Sequence, residues 1–362
     1  MRAHLLQRQM RSNLGWCFLG CVVVQCGLAV GVDQFWPAVR DPENAGVVKS
    51  VRAQSAEVLG RPVVLVFGSS RMKMALRAER LNHPEDEDAP LVMNCAMPQS
   101  GPMMQEILLR QVLAAGVRPR LVYLEIIPFF IGQTNGSSVE QRRHDVGARL
   151  TAAEIASVCR YHVSNSHRVW YSWAMGRLVP VYRHQLGAHA ALGIDQAAVA
   201  PTGGVLSVDQ YGWLRPPESL PAETVQQRSR DALLEWEFSM KQSAAALGSL
   251  RALTDAVSLC RARDIAVLFI VAPESSTMRS FCPAATEAQL NAVRGLAHEL
   301  GVPLIDARTW VDDDKFYDGH HVFVKGAEQY TERFAREALA PHWAGMRRDL
   351  HAHACAPKTD AE

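Results

Sequence analysis

The sequence has little net charge and no phosphate-binding motif. Its 38 basic residues nearly balance 37 acidic ones, leaving a formal net charge of +1. A nucleic-acid binder needs a strong basic field to neutralise phosphates, so nucleic acid is not expected as a partner. Neither GxGxxG nor GxxxxGK[ST] follows the first apolar strand, which argues against a nucleotide-binding domain. A chain of 362 residues, 48% of them hydrophobic, predicts one large domain with an inserted subdomain.

The cysteines also lack a metal-binding arrangement. Three lie in the first apolar segment (Cys17, Cys21, Cys26) and five are scattered (Cys95, Cys159, Cys260, Cys282, Cys355). No CxxC or Cys/His zinc spacing occurs, so we predict no metal and no cofactor, and most of these thiols are expected in the core.

A long apolar run lies near the N-terminus. Residues 14–32 carry no formal charge, and Arg2, Arg8 and Arg11 precede them. As a helix the run would extend about 28 Å, close to the hydrocarbon thickness of a membrane. The basic flank predicts a cytoplasmic segment 1–13, a signal anchor in the inner membrane, and a periplasmic or extracytoplasmic main domain. The alternatives are a cleaved signal peptide, which would export the same domain, or a buried soluble helix.

The rest of the chain alternates apolar strands with helices. A polar stalk is expected at 33–60. Strands are expected at 63–67, at 91–93, from 121, from 266, and at 302–307. This alternation predicts an α/β domain over 61–345, a three-layer α/β/α sandwich with a parallel five-stranded sheet.

A segment at about 131–249 interrupts the rhythm and is expected to be a mostly helical insertion. Between residues 140 and 184 it has seven arginines against three acids, mixed with Tyr and Trp. Such a mixture suits a membrane interface or an anionic glycan, although the aromatics could instead pack on the main sheet. Residues 346–362 are expected to form a flexible tail.

A candidate nucleophile follows the first strand. In Gly68-Ser69-Ser70-Arg71, the turn leads from the carboxyl end of a buried strand into a helix, the usual location of sites in open parallel sheets. The Ser70 hydroxyl could attack an ester, and its N–H could stabilise the resulting oxyanion. The competing interpretation is that such serines only cap the helix.

A candidate base lies near the C-terminus. Asp318 and His321 are three residues apart in YDGHH, a spacing that can bring the carboxylate to the imidazole and fix its tautomer. His320 is an alternative base. A loop histidine paired with a nearby acid, without catalytic function, is the structural alternative.

In order and content these residues resemble the SGNH (GDSL-like) hydrolase superfamily. Gly68-Ser69-Ser70 matches the first block, and Gly101 matches the glycine whose N–H serves the oxyanion hole. Asp318-Gly319-His320-His321 matches the last block. The resemblance covers about residues 62–130 and 250–340 and implies a flavodoxin-like fold with a catalytic triad of Ser70, His321 and Asp318.

Two positions depart from the family pattern. Ser69 replaces the aspartate before the nucleophile, and residues 124–128 lack the asparagine of the third block. Asn94 and Gln99, near the second block, could replace that donor, and Arg71 could bind an anionic group. Glu125 is a candidate hydrogen-bond acceptor or a structural residue.

The anchor and the Gly-Ser-Ser-Arg variant are similar to proteins of alginate acetylation and teichoic acid D-alanylation. The resemblance implies an exported serine esterase or O-acyltransferase, with an acyl ester or acylated glycan as substrate. An envelope protein complex is a further expected partner. The alternative is a non-catalytic glycan-binding or scaffolding component of such a complex.

Overall fold

The computed structural model describes residues 2–58, 60–82, 89–132, 140, 144–161, 166–180, 184 and 208–345. The strands are β1 Val63–Phe67, β2 Leu91–Asn94, β3 Pro119–Ile126, β4 Ala266–Val271 and β5 Leu304–Asp306. The helices are α1 Arg2–Phe35, α2 Pro37–Arg40, α3 Pro42–Glu57, α4 Ser70–Ala75, α5 Pro102–Ala114, α6 Pro128–Ile131, α7 Ala152–Tyr161, α8 Ser166–Leu178, α9 Ala222–Met240, α10 Leu247–Arg261, α11 Ser276–Phe281, α12 Pro283–Glu299 and α13 Val324–Arg333. A π-helical turn, Phe334–Leu339, continues α13, and 3-10 turns span Ala78–Leu81, His144–Arg149 and Asp313–Lys315.

The five strands form one parallel sheet in the order β2-β1-β3-β4-β5, which confirms the predicted sheet. All five residues of β1 are buried, as its continuous run of apolar side chains predicted. The strand order reverses between β1 and β3, the flavodoxin-like arrangement. Ligands of such sheets bind in the crevice beyond the carboxyl ends of the strands at this reversal.

Alternate residues of β1 enter two different hydrophobic cores. Leu65 and Phe67 pack in a core with residues of α5, α10 and α12. Val64 and Val66 face the opposite side, in a core that contains Met72 of α4 and Tyr330 of α13. Because successive side chains of a strand point to opposite faces, helices cover both faces of the sheet. Burying each large apolar side chain contributes about 1.5–3 kcal/mol.

The segment predicted to be a stalk is helical and packs on the domain. The Asp41 side chain caps α3 by accepting a hydrogen bond from the Asn44 N–H at 3.3 Å. Val51 of α3 is buried in the core beside α5, and the Ser50 hydroxyl donates to the Gln210 carbonyl at 2.8 Å. In the sequence this segment looks like a linker, because its residues are mixed and polar and only Val51 is a deeply buried apolar position. Tertiary contacts with the domain stabilise it as a helix.

Helix α1 contains a window, Met10–Gln34, that is long and apolar enough to span a membrane. The predicted span, 14–32, lies inside it. In the predicted insertion, the described residues include the helices α7, α8 and α9. Residues 133–139, 141–143, 162–165, 181–183 and 185–207 of the insertion, and the predicted tail 346–362, lie outside the described residues.

Candidate active site

The turn after β1 separates the roles of its two serines. Ser69 is the N-cap of α4, and its hydroxyl accepts a hydrogen bond from the Arg71 N–H at 3.1 Å. The capping interpretation therefore applies to Ser69. Ser70 is the first residue of α4, is half-buried, and does not supply the cap. A Cβ at Gly68 would overlap the Glu125 carboxylate and the Met72 side chain, so the turn needs glycine there.

The C-terminal loop folds around the Asp318 carboxylate. Oδ1 accepts hydrogen bonds from the N–H groups of His321 at 2.7 Å and His320 at 3.2 Å, while Oδ2 contacts His321 Nδ1 at 2.7 Å. Gly319 adopts φ +86, which favours glycine, and its carbonyl accepts from the Ser275 N–H at 2.9 Å. The loop is therefore fastened to the segment that follows β4.

The fold brings the two candidate segments together although 251 residues separate them. Ser70 Oγ lies 2.7 Å from His321 Nε2. With Nδ1–H donating to Asp318, the network assigns His321 the tautomer whose Nε2 can accept the serine proton. The Tyr317 ring stacks on His321 at 5.7 Å between centroids. The structure pairs Ser70 with His321 rather than with His320.

The electrostatics keep Asp318 charged and His320 neutral. Burial alone would raise the pKa of Asp318, but the facing His321 and His320 and the hydrogen bonds from His321 hold it below its usual range. Burial, together with the nearby His321, lowers the pKa of His320 to about 3. The ring of His320 is almost fully buried, and its Nδ1 has no hydrogen-bond partner among the described residues.

Buried charged side chains hold the turn after β1 in place. Arg71 is 2% exposed, and its guanidinium pairs with Glu274 at 3.0 Å and donates to the carbonyls of Ala272 and Pro273. Glu125 accepts a short hydrogen bond of 2.5 Å from the Ser69 N–H. Burial raises the pKa of Glu125, and the Arg71 charge opposes that shift. Arg71 therefore anchors α4 to the end of β4 and does not face a substrate anion.

Two of the predicted oxyanion donors, Gly101 and Asn94, are engaged elsewhere. The Gly101 N–H donates to the Glu140 carboxylate at 3.0 Å, and the same carboxylate accepts from Met103 at 3.0 Å and Met104 at 2.7 Å. The Asn94 amide is buried and donates to the Met72, Lys73 and Leu76 carbonyls. Asn94 thus closes the end of α4. Gln99 is exposed, with φ 59, in the loop between β2 and α5.

Asp318, His320 and His321 could also hold a metal ion, because one ligand atom of each lies within 4.8 Å of the others. However, His321 Nε2 and Nδ1 already contact Ser70 and Asp318. A cation would have to displace at least one of these hydrogen bonds.

Three residues around the site were not identified from the sequence: Glu140, Glu274 and Tyr317. Glu274 closely follows β4 at the carboxyl edge of the sheet, so an acid at that position was the available signal. Glu140 gave no such signal, because it lies in the insertion among many arginines.

No family model matches the chain, and no curated protein is matched. Among solved structures, the chain is similar to a "putative acylhydrolase" from Bacteroides fragilis, with 11% sequence identity and a TM-score of 0.36. The match covers 80% of this chain and 94% of that one. At this TM-score, the functional conclusion depends on the geometry of the site itself.

Proposed function

We propose that the protein is a serine esterase or O-acyltransferase in which Ser70 is the nucleophile, His321 the general base and Asp318 the residue that orients it. The observation that carries the proposal is the continuous chain of two 2.7 Å contacts, from Ser70 Oγ to His321 Nε2 and from His321 Nδ1 to Asp318. This is the arrangement that activates a serine hydroxyl in hydrolases of unrelated folds.

The reaction follows from this geometry. Ser70 Oγ attacks the carbonyl carbon of an acyl ester while its proton passes to His321 Nε2. The imidazolium, stabilised by the Asp318 carboxylate, returns the proton to the leaving alkoxide, and an acyl-Ser70 ester remains. A second hydroxyl then attacks this ester and gives its proton to His321, which returns it to Ser70 Oγ as the acyl–Ser70 bond breaks. Water as acceptor makes the protein an esterase, and a sugar hydroxyl makes it an O-acyltransferase. The chemistry requires no metal or cofactor.

Stabilisation of the oxyanion is the weakest part of this site. The Ser70 N–H is one candidate donor, and the Gly101 N–H becomes another if the Glu140 carboxylate moves away. Losing one oxyanion donor costs about 3–4 kcal/mol of transition-state stabilisation in other hydrolases. We therefore expect slow turnover of simple esters, and faster turnover of any substrate that displaces Glu140.

The proposed location is the inner membrane, with the α/β domain outside the cytoplasm. Two features support it: the apolar window Met10–Gln34 and the arginines that precede it. An enzyme held there would meet acylated cell-surface glycans, which are the proposed natural substrates, and an envelope complex could present them.

One observation favours a second function. With the Gly101 N–H engaged by Glu140 and Asn94 closing α4, the domain could be a non-catalytic glycan-binding or scaffolding component of such a complex. This function predicts that Ser70 can be replaced without any loss of ester turnover.

The two functions are separated by hydrolysis of p-nitrophenyl acetate by the detergent-solubilised full chain. Ser70→Ala and His321→Ala should each lower kcat toward the uncatalysed rate, a loss of up to about 10⁶-fold. The matched controls Ser280→Ala and His298→Ala change exposed residues away from this loop and should retain wild-type rates. Equal rates in wild type and Ser70→Ala would exclude the esterase.

A further inference from the structure

Helix α8 presents an apolar and aromatic face to its surroundings. Its inward residues Val169, Ser172 and Gly176 are buried, and Gly176 packs closely against Ala148. On the outside, Trp170 is 44% exposed, Tyr171 63% and Leu178 65%. Tyr171 and Leu178 are two helical turns apart and so share one side of the helix. The helix contains no acidic residue. Its exposed basic residue, Arg168, suits the anionic headgroups of a membrane surface.

This helix is fastened to the end of the apolar anchor helix. Arg177 contacts both carboxylate oxygens of Asp33, at 2.8 and 3.1 Å, and donates to the Leu150 carbonyl at 2.6 Å. Its guanidinium also lies over the Trp173 ring, 4.4 Å from the centroid. On the other side of Asp33, Arg40 donates to its backbone carbonyl at 3.0 Å. The position of α8 relative to α1 is therefore fixed by directed, partly buried contacts.

Exposed aromatic residues are also found where the anchor ends. Phe35 is 74% exposed and Trp36 53%, immediately after the window that could span a membrane. Tryptophan and tyrosine concentrate at the level of lipid headgroups, because each has an apolar ring and a polar group that can remain hydrated. The outward face of α8 is thus connected to the one segment of the described chain that could cross a bilayer.

We propose that the outward face of α8, formed by Trp170, Tyr171 and Leu178, docks at the headgroup–acyl boundary of the membrane that α1 spans. The Asp33–Arg177 pair holds α8 at that level. The inference rests on the proposed membrane location. It adds a second membrane contact, which fixes the orientation of the α/β domain relative to the bilayer.

The test is photo-cross-linking of the full chain in liposomes of phosphatidylethanolamine and phosphatidylglycerol. Benzoylphenylalanine is placed at Tyr171, at Phe18 in the anchor, and at Leu234, which is 69% exposed on α9. Irradiation should attach phospholipid at positions 18 and 171 but not at 234. Adducts at 18 without adducts at 171 would overturn the docking and leave the anchor standing. Attachment of protein instead of lipid at 171 would likewise overturn it.

Absence of adducts at position 18 would reject the membrane location and, with it, the docking. Neither result bears on the ester chemistry of Ser70. A second arm uses Asp33→Asn, which keeps the shape of the side chain and removes its charge. The lipid adduct at 171 should fall about threefold, the effect of losing one partly exposed ion pair, while the adduct at 18 is unchanged. An unchanged adduct at 171 would contradict the role of the Asp33–Arg177 pair.

Discussion

Replacing Asp318 by Asn examines the part of the site that sets the histidine tautomer. Asp318 accepts three hydrogen bonds, two from backbone N–H groups and one from His321 Nδ1. An asparagine Oδ1 can keep the two backbone bonds. Its NH₂ group would then face Nδ1, so that Nδ1 must accept and the proton moves to Nε2. A protonated Nε2 cannot take the Ser70 proton.

The expected loss can be estimated from this single reversed contact. A wrong histidine tautomer lowers kcat by about 10⁴-fold in other serine hydrolases, or about 5.5 kcal/mol in the barrier. The free energy of unfolding should fall by only about 1–2 kcal/mol, because two of the three hydrogen bonds remain.

Steady-state hydrolysis of p-nitrophenyl acetate provides the assay, and urea unfolding at pH 7 reports on the fold. Asp313→Asn is the matched control, since Asp313 lies in the same C-terminal region and accepts a hydrogen bond from the Ser276 N–H at 2.7 Å but does not contact His321. Combining Asp318→Asn with His321→Ala should give no further loss beyond His321→Ala alone, because residues that act as a unit are not additive. A kcat for Asp318→Asn within tenfold of wild type would refute the reasoning.

Three further predictions concern the buried groups around the site. Burial lowers the pKa of His320 to about 3, so on acidification the unfolded chain takes up a proton at this residue at a higher pH than the folded chain does. The contribution of neutral His320 to the free energy of unfolding is therefore full above pH 6.5 and falls as the pH drops toward 3. In urea unfolding, the loss between pH 6.5 and 5 should be about 2 kcal/mol smaller in His320→Asn than in wild type; equal losses would contradict this. Glu140→Ala should lower the free energy of unfolding by about 1–2 kcal/mol and raise esterase activity by freeing the Gly101 N–H, and unchanged or reduced activity would contradict that role. Arg71→Met should lower the free energy of unfolding by about 3–5 kcal/mol in the same assay, because it leaves Glu274 buried and unpaired. Adding Glu274→Gln should recover part of this loss. If the losses of the two single variants simply add in the double variant, the pairing is contradicted.

The central sheet was predictable because its strands are short, continuously apolar and separated by helices. The run Val63–Phe67 admits few other interpretations, and the parallel order follows from the alternation with helices. The contact between Ser70 and His321 was inferred from the order of motifs along the chain. Local pattern could not have supplied it, since 251 residues separate the two side chains and only the strand order brings them to one edge.

The surroundings of the site were harder to predict, because the role of each residue there depends on a tertiary contact that has no local sequence pattern. Arg71 was expected to face an anion, but its partner, Glu274, is 203 residues away and equally buried. Gly101 was expected to serve the oxyanion, and only the fold brings the Glu140 carboxylate to its N–H. The predicted stalk became helical for the same reason, since Val51 gains its stabilising contacts from the core of the domain.

The most direct test of the proposed chemistry is to locate the covalent adduct of a fluorophosphonate on the full-length chain by peptide mass spectrometry. The site geometry predicts one adduct, on Ser70 Oγ, lost in Ser70→Ala, strongly slowed in His321→Ala and retained in Ser69→Ala, because the Ser69 hydroxyl caps α4 and does not contact His321. Labelling of Ser70→Ala at the wild-type rate, or an adduct on a different serine, would contradict the assignment of Ser70 as the nucleophile.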